Sequence, residues 1–382
     1  MADGTVFVEE VTSLEGVRPH WHAWSQLRDE RLEDNIYASP EFLLAGLRSY
    51  ATKPFTLVFV YRDEAGGKRL IGCAPFETSP SQFRSRLHTA TLWSTLHSYL
   101  SQPLLHRNHA TEAVTALWDW AEGSAPSIDL LALPLMGVDS LTWDAMRRVL
   151  EARGVMPLIR RGFLRPMLSR YRSFDEYLAS LSAKRRSNYR RQWRNLTHTA
   201  EVEVRHHRSL DAGSDWPARF MRMEASGWKG ERGSALACCS ADAAFFDALS
   251  GAYSRRGDLF FTEVRLAGGA IAMCSSFVEG GTLFGFKCAF DPAFGEHSPG
   301  MLTNVEEVRQ FLDTPELQHA DSGANGTSFI GSYWKDRAPV ARVLLPSSNT
   351  GRLVLAGLNT ARRAGRGALL ALETVRRARG AA

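Results

Sequence analysis

Two stretches of this chain, far apart in sequence, carry the same local plan. Phe55–Tyr61 and Leu70–Phe76 are apolar, strand-like runs separated by a charged, Gly-containing turn at Asp63–Lys68. Leu259–Arg265 and Ala270–Val278 repeat the pattern around Ala267-Gly268-Gly269, and Thr282–Phe290 follows as a third strand after Gly280-Gly281. Apolar runs of this length bounded by glycine turns predict β-hairpins. Each hairpin follows helical segments and leads toward a further helix and strand. The repeat therefore predicts an α/β (α+β) chain of two similar lobes. At 382 residues the chain exceeds what one ordinary core organises, which agrees with two domains. We place the boundary near 165, giving lobes at 1–165 and 166–345 and a tail at 346–382.

Helices are expected around the hairpins. Trp21, Trp24, Leu27, Phe42, Leu43 and Leu47 have helix-like spacing, with Ser39-Pro40 as a cap and first turn. Further helices are expected at Ala113–Trp120, Ser140–Arg153 and Asp215–Gly227, and strands at Ile128–Leu133 and Leu317–Asp321. Ser173–Glu176 is a capping-box pattern and predicts the start of a long helix with Phe174, Tyr177, Leu178 and Leu181 on its apolar face; the basic run Lys184–Arg194 follows. Tyr189 and Trp193 are four apart, so a helix that turns its aromatics inward and its arginines outward is the reading of that run.

Charge is uneven. From Pro346 onward seven arginines stand against Glu373, a tail of +6 in a chain of +5, which leaves the rest near −1. The alternation of Leu, Ala and Val with Arg there predicts a basic amphipathic helix that contacts an acyl-carrier partner or a membrane surface, or simply docks. The five cysteines are odd in number and form no CxxC pair, so neither a disulfide framework nor a metal site is expected. The first residues lack a signal peptide's basic start and apolar core, and no apolar run is long enough to span a bilayer, so a cytoplasmic location is expected. There is no nucleophile elbow, HExxH or Walker loop, and adjacent His206 and His207 on a strand would point to opposite faces.

Three stretches carry chemistry. Ser298-Pro299-Gly300 opens a helix after a strand, and a helix start offers unpaired N–H groups and positive potential to a phosphate. Trp228-Lys229 is flanked by glycines in an expected loop. Asp321 to Lys335 follows a short strand and contains Tyr333 and Trp334. Occurring together and in this order, GWKG…GSAL, DPAF…SPG, the Asp321-Ser-Gly323 strand end and the Tyr333-Trp334-Lys335 element resemble the GNAT-like acetyltransferases of the cellulose-biosynthesis-associated (CelD/BcsL) type, relatives of the FemAB-type aminoacyl transferases.

That resemblance, from about Pro40 to Leu345, implies two tandem GNAT-like lobes, each a splayed mixed sheet flanked by helices, the first degenerate. It implies an acyltransferase using acetyl-CoA or another acyl-CoA, with no metal, on an amine or hydroxyl of a small polar or saccharide-like acceptor. By the same resemblance Ser298, Pro299, Gly300, Met301 and Leu302 correspond to the pyrophosphate loop, although only Gly300 of the usual glycine signature is present; His297 sits beside it, as a phosphate contact, an exposed loop histidine or a base. Tyr333 is the implied proton donor to the leaving thiolate. Asp291, Glu224 and Asp321 are candidates for the base, and Trp228, Lys229, Lys287, Trp334 and Lys335 for substrate contacts. Two rival readings stand beside this one. The first is an aminoacyl-tRNA donor docking on the basic run. The second is a non-catalytic partner of an envelope-polysaccharide system.

Overall fold

The computed structural model describes residues 4–50, 54–80, 87–124 and 127–360. The tail expected from 346 is described only as far as Thr360, with a helix over 349–360; the remaining arginine-rich part lies outside the described residues.

Among the described residues thirteen strands form one sheet: β1 (Val6–Val11), β2 (Thr56–Glu64), β3 (Gly67–Pro80), β4 (His88–Leu92), β5 (Leu104–Leu105), β6 (Leu130–Gly137), β7 (Leu158–Ser169), β8 (Val202–His207), β9 (Leu259–Leu266), β10 (Gly269–Glu279), β11 (Thr282–Phe290), β12 (His319–Asp321) and β13 (Asp336–Pro346). Their order is β1-β2-β3-β4-β6-β13-β7-β12-β11-β10-β9-β8, with β5 paired to β3. Read from either edge the plan is the same. β1 to β4 are antiparallel neighbours, β4 pairs parallel with β6, and β6 pairs antiparallel with β13. From the other edge β8 to β11 are antiparallel, β11 pairs parallel with β12, and β12 pairs antiparallel with β7. The two halves join where β7 meets β13. The two-lobed α/β architecture is the one the repeat predicts.

The junction is crossed over. β7 closes the first half in sequence but sits beside β12 of the second. β13 closes the second half but pairs with β6 of the first. Position 165, placed between lobes in the sequence, falls inside β7. Hairpin periodicity does not encode which sheet edge a terminal strand takes.

The hairpins expected from glycine turns are β2–β3 and β9–β10. At Gly280 the turn into β11 has φ +62°, a left-handed conformation that favours glycine, and the Arg31 and Asp34 side chains of the first half pack closely against it. Asp34 then accepts hydrogen bonds from Gly281 N at 3.0 Å and Thr282 Oγ1 at 2.9 Å. Ser39 caps Pro40–Ser49 as expected, accepting from Phe42 N at 3.2 Å. The long helix expected from Ser173 is instead two, Phe174–Ser180 and Ala183–Thr199. Leu181 is extended, Ser182 caps the second helix, and Arg186 donates to the carbonyls of Ala179 and Leu181 at 3.1 and 2.9 Å, closing the first. The helix Ser240–Arg256 has no counterpart in the sequence reading; its apolar residues are spread around the axis instead of forming one stripe. Its Phe245, Phe246 and Leu249 join Ile36, Phe42 and Phe284 in a core shared by both halves.

Candidate functional site

β11 and β12 are held in parallel register only from Thr282–Phe284 against His319–Asp321. Beyond that, β11 stays with β10 to Phe290 while the chain after Asp321 turns away. Two glycines stand where the pairing ends and allow the chain segments to approach closely there. A Cβ on Gly285 would stand 3.2 Å from the Ser322 carbonyl, and one on Gly323, where φ is +62°, would stand 2.6 Å from Tyr99 Cδ2 and 2.8 Å from the Gly285 carbonyl. The strands part into a groove of about 440 Å³. One wall is Ser275, Ser276 and Gly285–Cys288, with Asn304 and Glu307 from the helix Pro299–Leu312. The other is Ser322, Ala324, Phe329, Ile330 and Trp334, and Tyr99 enters from the first half.

Glu307 is the unexpected group. Thr303, Glu307 and Phe311 stand four apart on a buried stripe of their helix, and the Glu307 side chain is nearly fully buried. Its carboxylate accepts from Ser276 Oγ at 2.6 Å. Burial pushes its pKa up to about 7, and the Ser276 hydrogen bond offsets this only in part. The sequence signal existed, since an acid between Thr303 and Phe311 interrupts an inward-facing stripe. The SPG element before it drew the assignment away.

A second charged cluster borders the groove. Glu224 is buried and accepts from Leu236 N at 2.8 Å. Lys229 donates to Glu224 Oε1 at 2.8 Å and to the Cys288 carbonyl at 2.9 Å, so it ties its segment to β11. Lys287 Nζ lies 3.7 Å from the same carboxylate. Burial lowers the Lys287 pKa from the ordinary lysine value, against the pull of Glu224. Trp334 is buried, lines the groove, and its indole N–H has no hydrogen-bond partner among the described residues.

The structure thus brings Lys229, Lys287 and Trp334 to the groove and puts Glu224 directly behind them. Other expected residues lie elsewhere. Tyr333 does not line the groove; it is buried in the core beside Tyr177 and Trp334, 4.9 Å from the Phe329 ring and beneath Arg185. Its neighbour Trp334 takes the inward position, a choice of face that linear order does not reveal. Asp291 caps the turn after β11, accepting from Ala293 N at 2.9 Å. Asp321 is held by Arg165 at 3.1 Å and by Gly323 N at 2.8 Å. It faces a second cavity of about 320 Å³ between the halves. Lys335 donates to the Ser180 carbonyl. Trp228 opens a short helix, Trp228–Glu231, and is exposed with Arg232 over its ring.

The expected phosphate cradle is smaller than the sequence implies. Ser298 is in the left-handed conformation, and the N–H groups of Met301 and Leu302 turn back onto its carbonyl at 3.0 and 3.2 Å. Pro299 has no N–H. Met301 and Leu302 are core side chains. A Cβ on Gly300 would stand 3.2 Å from the Phe290 ring, so that glycine serves helix-to-strand packing. His297 lies beside Glu296, 3.7 Å away. Among the described residues there is no cluster of three or more metal-ligating side chains, and no single helix is long and apolar enough to cross a membrane.

Residues 183–335 match the acetyltransferase (GNAT) domain. That span runs from the basic helix Ala183–Thr199 to Lys335 and contains almost the whole groove; Tyr99 comes from outside it. The chain is similar in fold to a solved structure titled FemX, at 11% identity, a TM-score of 0.54, and coverage of 88% of this chain and 96% of that one. It is similar to a conserved protein of unknown function from Bacteroides thetaiotaomicron VPI-5482, at 12% identity, a TM-score of 0.55, and coverage of 89% and 100%. No curated protein matches the chain. The GNAT match thus lies on the second half of the sheet, and the shared fold extends over both halves.

Proposed function

We propose that the chain is an acyltransferase that holds an acyl thioester, acyl-CoA in first place, in the β11–β12 groove and passes the acyl group to an amine or hydroxyl. The observation that carries this reading is the groove itself, where a buried carboxyl with a pKa near 7 and an unpartnered indole N–H line a gap between two diverging parallel strands. Past Phe284 the amides on the β12-facing edge of β11 have no strand partner among the described residues. They are suited to stabilise charge on a thioester oxygen. An ammonium acceptor must lose its proton before attack, and Glu307 takes it at neutral pH. Lys287, made more acidic by burial, stands on the same wall to protonate the departing thiolate. Acyl-CoA supplies the activated acyl group when bound. Its diphosphate would find only part of a cradle at Ser298–Leu302, so its adenosine end depends on other contacts. The resemblance to the CelD/BcsL type, carried by Gly227–Gly230 and the DPAF…SPG stretch, adds a saccharide-like acceptor to the proposal. The test is calorimetric titration with acetyl-CoA, followed by thiol release in the presence of amine acceptors. Binding and acceptor-dependent release are expected; no heat and no thioester cleavage at millimolar acetyl-CoA overturn the reading.

One observation favours a second donor. The helix Ala183–Thr199 carries no acid, exposes Arg190, Arg191 and Arg194, and borders a surface concavity of about 480 Å³. Such a face suits the phosphates of an aminoacyl-tRNA. Charge reversal at Arg190 and Arg191 should then weaken tRNA binding and flatten its salt dependence; unchanged affinity removes this donor.

A further inference from the structure

Two thiols face each other on the wall of the groove, and acyl transfer as proposed uses neither. Cys274 of β10 and Cys288 of β11 are direct partners in the antiparallel register. Direct partners point to the same face of the sheet, with Cα atoms roughly 4.5–5.5 Å apart. That separation lies inside the roughly 4.4–6.8 Å that a disulfide spans. Burial pushes the Cys274 thiol pKa up, and the neighbouring Cys288 adds to this. Both are unbridged and both line the groove.

The pair is asymmetric. Cys274 is 2% exposed, whereas Cys288 is half-buried and reachable from the groove. Asn304 Nδ2 lies 3.6 Å from Cys288 Sγ and also donates to the Gly300 carbonyl at 2.6 Å. A reachable thiol beside a buried one is the arrangement of an attacking and a resolving cysteine.

We infer that Cys274 and Cys288 form a reversible intramolecular disulfide in response to a peroxide-class oxidant, a modification site built into the groove wall. Cys288 attacks the peroxide oxygen and becomes a sulfenic acid, with the peroxide reduced to one water. The Cys274 sulfur then attacks the Cys288 sulfur and releases the second water. Two thiols and one hydrogen peroxide thus give one disulfide and two waters, and a dithiol reductant reverses the step. The bond ends the Cys288 contact with Asn304 and fixes the wall of the groove, so the oxidised form should bind a groove ligand more weakly.

The experiment uses the full chain with the exposed Cys238 and Cys239 changed to serine, treated with stoichiometric hydrogen peroxide. Trypsin cuts after Arg265, Lys287 and Arg309, so the two cysteines fall in different peptides, 266–287 and 288–309. The expected result is one disulfide-linked pair of these peptides, a mass loss of two hydrogens, and full reversal by dithiothreitol. In Cys274→Ser, Cys288 should accumulate as a sulfenic acid that dimedone traps. A chain whose Cys288 goes directly to sulfinic acid, or that forms no 266–287/288–309 pair, overturns the inference. These readouts need no acyl donor, so they fail or succeed independently of the transferase reading.

Discussion

At position 307 a carboxylic acid lies on the packed face of its helix, 2.6 Å from the Ser276 hydroxyl and within a groove wall. Its pKa of about 7 against an ordinary 4.5 means that the folded state keeps a proton the unfolded chain has released. Stability attributable to this group therefore falls as pH rises from the ordinary carboxyl range to about 7, and is flat above that. Glu307→Gln should be more stable than the parent above pH 7 by up to about 3 kcal/mol. The difference should vanish near pH 4 in urea titrations. The same substitution should cost roughly 100- to 10,000-fold in kcat/KM, and remove an acidic limb near pH 7 from the pH profile. A variant that keeps the limb removes Glu307 from the chemistry. At Gly323, alanine would hold a left-handed residue against Tyr99 and the Gly285 carbonyl. Gly323→Ala should lose about 1–3 kcal/mol, read from the urea midpoint, and weaken ligand binding in the groove.

At the scale of elements, the segment carrying Lys229 reaches β11 through two hydrogen bonds from one ammonium. Lys229→Met leaves the buried Glu224 with the Leu236 amide and, as its cation, the more distant Lys287. A loss of about 3 kcal/mol is expected, measurable as a lowered melting temperature. If the melting temperature is unchanged, the bridge is not structural and Lys229 is free for substrate. Elements were also the scale most readable in the sequence. β2–β3 and β9–β11 follow from apolar runs cut by glycine turns, and Ser39-Pro40 marks a helix start, because these signals are local. β7, β8 and β13 escaped, since their exposed residues interrupt the apolar pattern and their partners are distant. The site was half legible. Lys229, Lys287 and Trp334, named from the resemblance, lie at the groove. Tyr333, Met301 and Leu302 were misplaced because the face that each presents depends on packing across the sheet.

Across the whole molecule the halves are tied by charge as well as by strands. Arg256 meets Glu41 and Glu279, each at 3.2 Å, and Tyr253 donates to Glu279 at 2.7 Å and meets the Ser39 hydroxyl at 3.0 Å. A chain ending at Lys335 removes β13 and strips partners from both β6 and β7. It should lose the cooperative melt of both halves at once, monitored by circular dichroism. A first half that still melts as in the intact chain would show that its sheet does not need β13.

The crossing of β7 and β13 also orders events during synthesis. On the ribosome, β6 emerges long before residues 336–346, the segment that will cover its open edge. For most of translation the nascent chain therefore presents a bare run of amide and carbonyl groups along Leu130–Gly137, a surface that a chaperone must shield or a neighbouring polysome can capture.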